Sequence, residues 1–241
     1  MDIVWKILLG AVSALVGFVL FVILAGLAVN PKKEYKTHSS FYRGLVNIVT
    51  WISITCARVR IHVTGYDKVP MTNVLFVGNH RANMDSLITW QVFWKWRPAY
   101  ISKEENFKIP TCGRLIRRCC FLAIDRENPR NAIKTINQAA ELIHQEDISF
   151  GVYPEGTRNK EGKGLLPFHN GVLKIAQKAN VPVVVVAING TEKIRKNTPW
   201  HRTDVYLDVL DVMSAEYVKE NPTAKLGEEI QNMLLNHLEG K

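Results

Sequence analysis

The sequence predicts an α/β protein with a mixed, largely parallel sheet flanked by helices, and with an N-terminal membrane-anchoring helical segment. Strand-like and helix-like segments alternate from residue 58 to the C-terminus, as they do in α/β domains. The segment 181–190 opens with VPVVVVAI, a nearly unbroken β-branched run that is typical of a strand buried on both faces. The run at 7–29 contains no charged residue.

This uncharged run is long enough to cross a bilayer. As a helix, residues 7–29 extend roughly 35 Å, and the hydrocarbon core is about 30 Å thick. A signal peptide has a shorter apolar core of about 7–15 residues, so an uncleaved anchor is favoured. Lys32, Lys33 and Lys36 follow the run, while only Lys6 and one acidic residue precede it. The positive-inside rule therefore places the rest of the chain on the cytoplasmic face of the cell membrane.

A second apolar stretch at 41–61 is interrupted by Arg43. Three structures fit it: a helix at about 41–57 that lies in the membrane interface, a half-buried hairpin partner of the first helix, and a core helix of the soluble domain. The boundary is predicted near residues 58–65. Residues 1–57 are then the membrane anchor, and residues 58–241 form the cytoplasmic α/β domain.

Within that domain, periodicity and caps predict each element in order. Residues 129–145 begin with Pro and carry apolar residues on one face, which indicates an amphipathic helix. Asp85 or Ser86 is the expected cap of a helix at 86–96, and 203–213 alternates like a strand near an edge. Strands are predicted at 58–65, 73–79, 98–103, 121–125, 148–156, 181–190 and 203–213, and helices at 86–96, 129–145, 171–180 and 223–238.

The chain of 241 residues has a formal net charge of +9, which suits anionic partners. Nucleic acid would explain the charge but not the membrane run, so membrane phospholipids and phosphorylated small molecules are preferred. The segment 107–121 mixes basic and apolar residues, and fits either a surface against anionic lipid or a solvated basic face. The four cysteines lack metal-site spacing, and no metal or other cofactor is predicted.

Two strand-end loops carry residues suited to chemistry. His80 follows the strand at 73–79 and precedes Asp85. The sequence EGTR at 155–158 begins at the end of the strand predicted at 148–156 and continues into the loop after it. Ligands bind at the carboxyl ends of strands in such sheets. Histidine can act as a base near neutral pH, and a carboxylate can orient its ring. Taken alone, the H-x4-D string also fits a solvated turn.

Four blocks in this order resemble the 1-acylglycerol-3-phosphate acyltransferase family of membrane-bound glycerolipid acyltransferases. They are NHRANMD at 79–85, AIDR at 123–126, YPEGTR at 153–158 and VPVVVVAI at 181–188. The resemblance covers about residues 60–190. The first and third blocks are specific as a pair, and the other two only support them.

The resemblance implies direct acyl transfer without an acyl-enzyme. It makes His80 the general base and Asp85 the partner that orients it. It also implies a substrate site that binds the phosphate of the acceptor, with backbone N–H groups near Gly156 as candidate oxyanion donors. The implied substrate-binding residues are Lys103, Arg126, Glu155, Gly156, Thr157 and Arg158.

The chain departs from the family pattern at several positions, which leaves the exact acceptor open. Cys120 stands where glycine is usual, and His169 stands where lysine is common. Further departures are Ala123, Asn159 and Val185.

The predicted function is transfer of a fatty-acyl group from acyl-CoA or acyl carrier protein to lysophosphatidic acid, giving phosphatidic acid in phospholipid biosynthesis. One alternative is an acyltransferase for another lysophospholipid or for glycerol 3-phosphate. The other is a non-catalytic membrane scaffold that binds anionic lipid, which would not need the His80 and Asp85 pair.

Overall fold

A computed structural model describes residues 2–125, 128–160 and 164–240. Two helices, α1 (Asp2–Leu27) and α2 (Ser40–Cys56), precede the sheet. The strands are β1 (Val59–Thr64), β2 (Leu75–Gly78), β3 (Pro98–Lys103), β4 (Leu122–Ile124), β5 (Ser149–Val152), β6 (Val183–Asn189) and β7 (Thr203–Met213).

The seven strands form one sheet in the order β1-β7-β6-β2-β5-β3-β4. The paired strands run parallel except β6 and β7, which are antiparallel. This confirms the predicted mixed, largely parallel sheet. Strand β6 lies inside the sheet, and its residues are buried up to Ile188, as its β-branched run predicts.

The helices that follow cover both faces of the sheet. They are α3 (Met84–Val92), α4 (Cys112–Arg118), α5 (Pro129–Glu146), α6 (Lys174–Ala179), α7 (Thr191–Asn197), α8 (Ala215–Glu220) and α9 (Thr223–Glu239). The predicted cap of α3 was wrong: Asn83 precedes the helix, and Asp85 lies in its first turn. The predicted helix at 171–180 is a short 3-10 turn followed by α6.

Two apolar layers enclose the sheet. Residues of α5, α6 and α9 pack on one face, and they include Ile143, Ile175 and Ile230, each almost fully buried. The other face is covered by an aromatic group in which the ring of Phe93 stacks on that of Phe76, with ring centroids 4.4 Å apart. These layers fix the carboxyl edge of the parallel strands, where the predicted site residues lie.

Helix α1 is long and apolar enough to cross a membrane, and none of its most apolar stretch is buried inside the protein. It ends at Leu27, two residues before the predicted end. The carbonyl of Leu27 accepts a hydrogen bond from Arg114 Nη1 (3.1 Å), and the carbonyl of Ala25 accepts one from the Tyr42 hydroxyl (3.1 Å). The end of α1 is therefore held against α4 and α2.

Helix α2 has two different faces. Leu45 and Val46 are buried with α3, α4 and the sheet, and the Arg43 guanidinium donates to the carbonyls of Pro98 (2.9 Å) and Cys119 (3.0 Å). The opposite face is also apolar but exposed, and it carries Phe41, Ile48 and Trp51. One face of α2 thus packs on the α/β core, as predicted for a core helix, and the other presents an exposed apolar stripe. Its location in the membrane interface stays a prediction.

Candidate active site

The loop after β2 is anchored before it reaches the first predicted site residue. Gly78 lies so close to β6 that an added Cβ would be 2.8 Å from the Val186 carbonyl oxygen, which leaves no room for a side chain. The Asn79 side chain is fully buried and pairs with both backbone groups of Ile188, at 2.8 Å each. His80 therefore leaves the sheet from a fixed position.

His80 and Asp85 form a hydrogen-bonded pair across the turn between β2 and α3. His80 Nδ1 lies 2.8 Å from Asp85 Oδ2, and the backbone N–H groups of Arg81 and Ala82 donate to the same oxygen at 2.7 and 2.8 Å. Because Oδ2 accepts two backbone donors, it is a carboxylate oxygen and Nδ1 carries the proton. The imidazole Nε2 is then left as an acceptor. Asp85 is fully buried, and His80 is 20% exposed through its side chain.

An aromatic ring packs against the imidazole, and a network of hydroxyl groups connects that ring to the backbone of Asp85. The rings of His80 and Tyr153 are stacked, with centroids 4.4 Å apart and planes at 12°. The Thr89 hydroxyl donates to the Asp85 carbonyl (2.8 Å), so it accepts from the hydroxyls of Tyr100 (2.6 Å) and Tyr153 (3.2 Å). Burial raises the pKa of Tyr100 and Tyr153 well above the usual value, which keeps both phenols neutral.

Glu155 joins the two predicted loops. Its carboxylate accepts hydrogen bonds from the N–H groups of His80 (2.6 Å) and Leu166 (2.9 Å), and the N–H of Asn159 donates to the His80 carbonyl (2.8 Å). Burial raises the pKa of Glu155, and the two backbone hydrogen bonds act against that shift. The EGTR loop is thereby fixed to the backbone of the histidine.

A cavity of about 490 Å³ opens beside the imidazole. Its lining combines polar and basic side chains with a larger set of apolar ones. The polar and basic side chains are those of His80, Lys103, Thr157, Arg158 and His169, and the apolar ones include Ile101, Ile109, Ile116, Phe121, Ile124, Ile136 and Val172. Within the described ranges, Lys103 and Arg158 make no ion pair with a carboxylate, so the cavity is lined by positive charge that no described carboxylate pairs with.

The structure brings the described site residues together, although not all of them line the cavity. Gly156 also lines the cavity, but its N–H donates to the Tyr153 carbonyl (2.9 Å) and is not free as an oxyanion donor in this conformation. Glu155 lies outside the lining and holds the loop. Arg126 lies outside the described residues. Sequence reasoning missed Tyr153, although it directly precedes the PEGTR motif, and missed Thr89.

One departure from the family pattern has a backbone explanation. Cys120 has φ of 63°, a left-handed conformation that favours glycine. This conformation accounts for the glycine that is usual at the position.

Comparison with known proteins identifies the family. Residues 60–189, which are 130 of the 241 residues, match the Acyltransferase family. The chain belongs to the acyltransferase family. This range contains every described candidate site residue of the chain, so in this acyltransferase the H-x4-D pair and the EGTR loop lie within the matched region.

Curated relatives of this acyltransferase carry one recurring name. A 1-acyl-sn-glycerol-3-phosphate acyltransferase of Haemophilus influenzae is 30% identical over 161 residues, 66% of each chain. A protein of the same name from Borreliella burgdorferi is 30% identical over 190 residues, 76% of this chain and 75% of the relative. One from Cocos nucifera is 34% identical over 129 residues, 53% of this chain and 41% of the relative. This acyltransferase thus spans less than two thirds of the coconut protein.

A solved structure shares the fold. The crystal structure of the 1-acyl-sn-glycerophosphate (LPA) acyltransferase PlsC from Thermotoga maritima matches with a TM-score of 0.69 and 24% sequence identity. The match covers 91% of this acyltransferase and 86% of that chain. The arrangement of sheet and helices described above is therefore that of PlsC.

Proposed function

We propose that this acyltransferase transfers a fatty-acyl group from an acyl thioester to the free hydroxyl of lysophosphatidic acid, giving phosphatidic acid. The observation that carries the proposal is the cavity itself: His80, paired with Asp85, lines a space that also carries basic and apolar side chains. Lysophosphatidic acid has an anionic phosphate and an apolar acyl chain, so its two parts match the two kinds of lining. The names of the curated relatives and of PlsC support the same acceptor.

His80 is assigned the role of general base. Its Nδ1–H is held by Asp85, so Nε2 takes the proton of the acceptor hydroxyl as that oxygen attacks the thioester carbonyl carbon. The carbon–sulfur bond then breaks, and the proton passes from Nε2 to the departing thiolate. Asp85 stabilises the imidazolium formed between these steps, because its carboxylate is buried against the ring.

Arg158 and Lys103 are assigned to the acceptor phosphate. Both line the same cavity as His80, and the planar guanidinium of Arg158 can bond two phosphate oxygens at once. Glu155 has a positioning role, because both of its oxygens accept backbone N–H groups. Arg126 is also proposed to bind this phosphate, and the only support for that role is the resemblance of its sequence block to the family.

The membrane supplies and receives the lipid. We assign α1 as a membrane anchor and the exposed stripe of Phe41, Ile48 and Trp51 on α2 as a surface in the lipid interface. The charge asymmetry around α1 supports an orientation with the α/β domain on the cytoplasmic face. A reporter fused to the C-terminus should then be cytoplasmic, and a reporter on the opposite side would overturn this orientation.

The test is a product analysis with purified full-length protein. Lysophosphatidic acid, other lysophospholipids and glycerol 3-phosphate are each offered with acyl-CoA and with acylated acyl carrier protein. Phosphatidic acid should be the main product, and its formation should be lost in His80→Ala. Preferred turnover of another acceptor would correct the substrate, and no acyl transfer to any acceptor would leave the scaffold function.

A further inference from the structure

A second cavity of about 360 Å³ lies beside the first. It is enclosed by the segment between α1 and α2, by α4, by β4 and by α5. Phe121 lines both cavities. Among the described residues, none of those assigned above to acyl transfer lines this second cavity, so the proposed reaction does not account for its lining.

Among the described residues, three cationic side chains and one acidic side chain line the second cavity. The cations are Lys33, Arg117 and Lys134, and the acid is Glu34. In the part of the chain that the structure describes, none of the three cations forms an ion pair. The cavity therefore has an excess of positive charge that no described carboxylate balances.

Two of the three cations lie against aromatic rings, and one of them keeps a buried hydrogen-bond donor without a described partner. Lys33 Nζ lies 5.4 Å from the centre of the Tyr35 ring, and the Arg117 guanidinium lies 4.8 Å from that of Phe107. Arg117 Nε is buried and, among the described residues, has no hydrogen-bond partner. Buried donors on a fixed guanidinium favour a ligand with several anionic oxygens, and a phosphate group has them.

The position of the cavity points to a ligand from the membrane surface or from the acyl donor. Lys33 follows the end of α1 by six residues, so the cavity lies close to where the chain leaves the proposed membrane span. The cavity also adjoins the first cavity, because Phe121 lines both. Lipid headgroups and the CoA part of an acyl-CoA both carry phosphate groups.

We propose that this second cavity is a phosphate-binding site, distinct from the acceptor site, which takes either the phosphates of CoA or the phosphate of an anionic phospholipid headgroup. Lys33, Arg117 and Lys134 are its cationic ligands. The CoA alternative rests on the proposed function, because it assigns part of the donor to this cavity. The headgroup alternative requires only the membrane location.

The experiment measures binding and not turnover, so its outcome does not depend on the proposed reaction. Full-length protein in neutral detergent is titrated calorimetrically with free CoA, with water-soluble dihexanoyl phosphatidylglycerol, and with dihexanoyl phosphatidylcholine as the zwitterionic reference. The variant is Lys33→Ala/Lys134→Ala, which removes two exposed cations without opening the core. The control is Lys178→Ala/Lys219→Ala, which removes the same charge from exposed positions on α6 and α8.

If the site binds the donor, free CoA should bind the wild type and the control equally, and the variant roughly tenfold more weakly. If the site binds a headgroup, the same loss should appear with dihexanoyl phosphatidylglycerol and not with CoA, and the phosphatidylcholine reference should be unchanged. Equal affinities of variant and control for both phosphates would overturn the proposal. Thermal unfolding curves of the variants establish that each protein is folded.

Discussion

The imidazole of His80 lies flat against the phenol ring of Tyr153, with ring centroids 4.4 Å apart. The electron-rich face of an aromatic ring attracts a cation, so this contact favours the imidazolium that forms during acyl transfer. The Tyr153 hydroxyl is tied to Thr89, which in turn bonds the backbone of Asp85. One network therefore holds both the base and its partner.

Replacing the ring should lower turnover more than replacing its hydroxyl. Tyr153→Leu is expected to reduce kcat by roughly threefold to thirtyfold, the range of a cation–π contact of about 0.5–2 kcal/mol. Tyr153→Phe keeps the ring and should retain most of kcat. Steady-state kinetics should show the loss in kcat with the acceptor KM nearly unchanged. Equal losses in the two variants would mean that the hydroxyl, not the ring, matters.

Removing the base should abolish turnover without unfolding the protein. His80→Ala is expected to lower kcat by about 10²–10⁴-fold, and Asp85→Asn somewhat less. Because the two groups act as a unit, the double variant should be little worse than His80→Ala. The exposed His201→Ala is the control, and near-normal turnover of His80→Ala would refute the mechanism.

Loss of the guanidinium should weaken acceptor binding. Arg158→Ala is expected to cost about 1.5–3 kcal/mol of interaction with the phosphate. The change should appear in the acceptor KM, while the KM of the acyl donor stays the same. Arg195→Ala, which removes an exposed guanidinium on α7, is the control. An effect confined to the donor would assign the phosphate site to the wrong substrate.

Glu155 should make stability depend on pH in a defined direction. Burial raises the pKa of its carboxyl above the usual 4.5, so the folded state holds the proton more tightly than the unfolded state. The stabilisation from this group is complete below pH 4.5 and is lost as pH rises through the folded-state pKa. The melting temperature of wild type relative to Glu155→Gln should therefore fall across that window. A difference that is constant with pH would contradict the shift.

The two faces of α2 should respond differently to truncation. Leu45 is 4% exposed, and Leu45→Ala should destabilise the protein by about 2–5 kcal/mol. Ile48 is 49% exposed, so Ile48→Ala should leave the unfolding curve in detergent nearly unchanged. After deletion of α1, the Ile48 variant should bind vesicles more weakly than the parent. Similar unfolding curves for both variants would show that α2 is not packed on the core.

Local patterns were sufficient to predict most strands and the contact between His80 and Asp85. His80 and Asp85 are five residues apart at a strand-to-helix turn, so their contact follows from short-range geometry. The contact of Glu155 with His80 joins residues 75 apart in sequence. Such a contact depends on β2 and β5 being neighbours in the sheet, which no local pattern specifies.

Tertiary packing also changed the boundaries of elements. The periodicity of 86–96 predicted one helix, but α3 ends at Val92. Phe93 and Trp96 then pack edge to face, and both contact Phe76 on β2. Burial of these rings outweighs the small gain from another helical turn.

The end of α1 is attached to the short helix α4 by direct contacts. Gly26 of α1 lies against Thr111, and Arg114 of α4 bonds the last residue of α1. Cys112 and Ile116 of the same short helix line the substrate cavity. Helix α1 and this wall of the cavity are thus held together by direct contacts, and not only through the intervening residues 28–39. Under the proposed function, with α1 as the membrane anchor, these contacts set the distance between His80 and the hydrocarbon core of the bilayer.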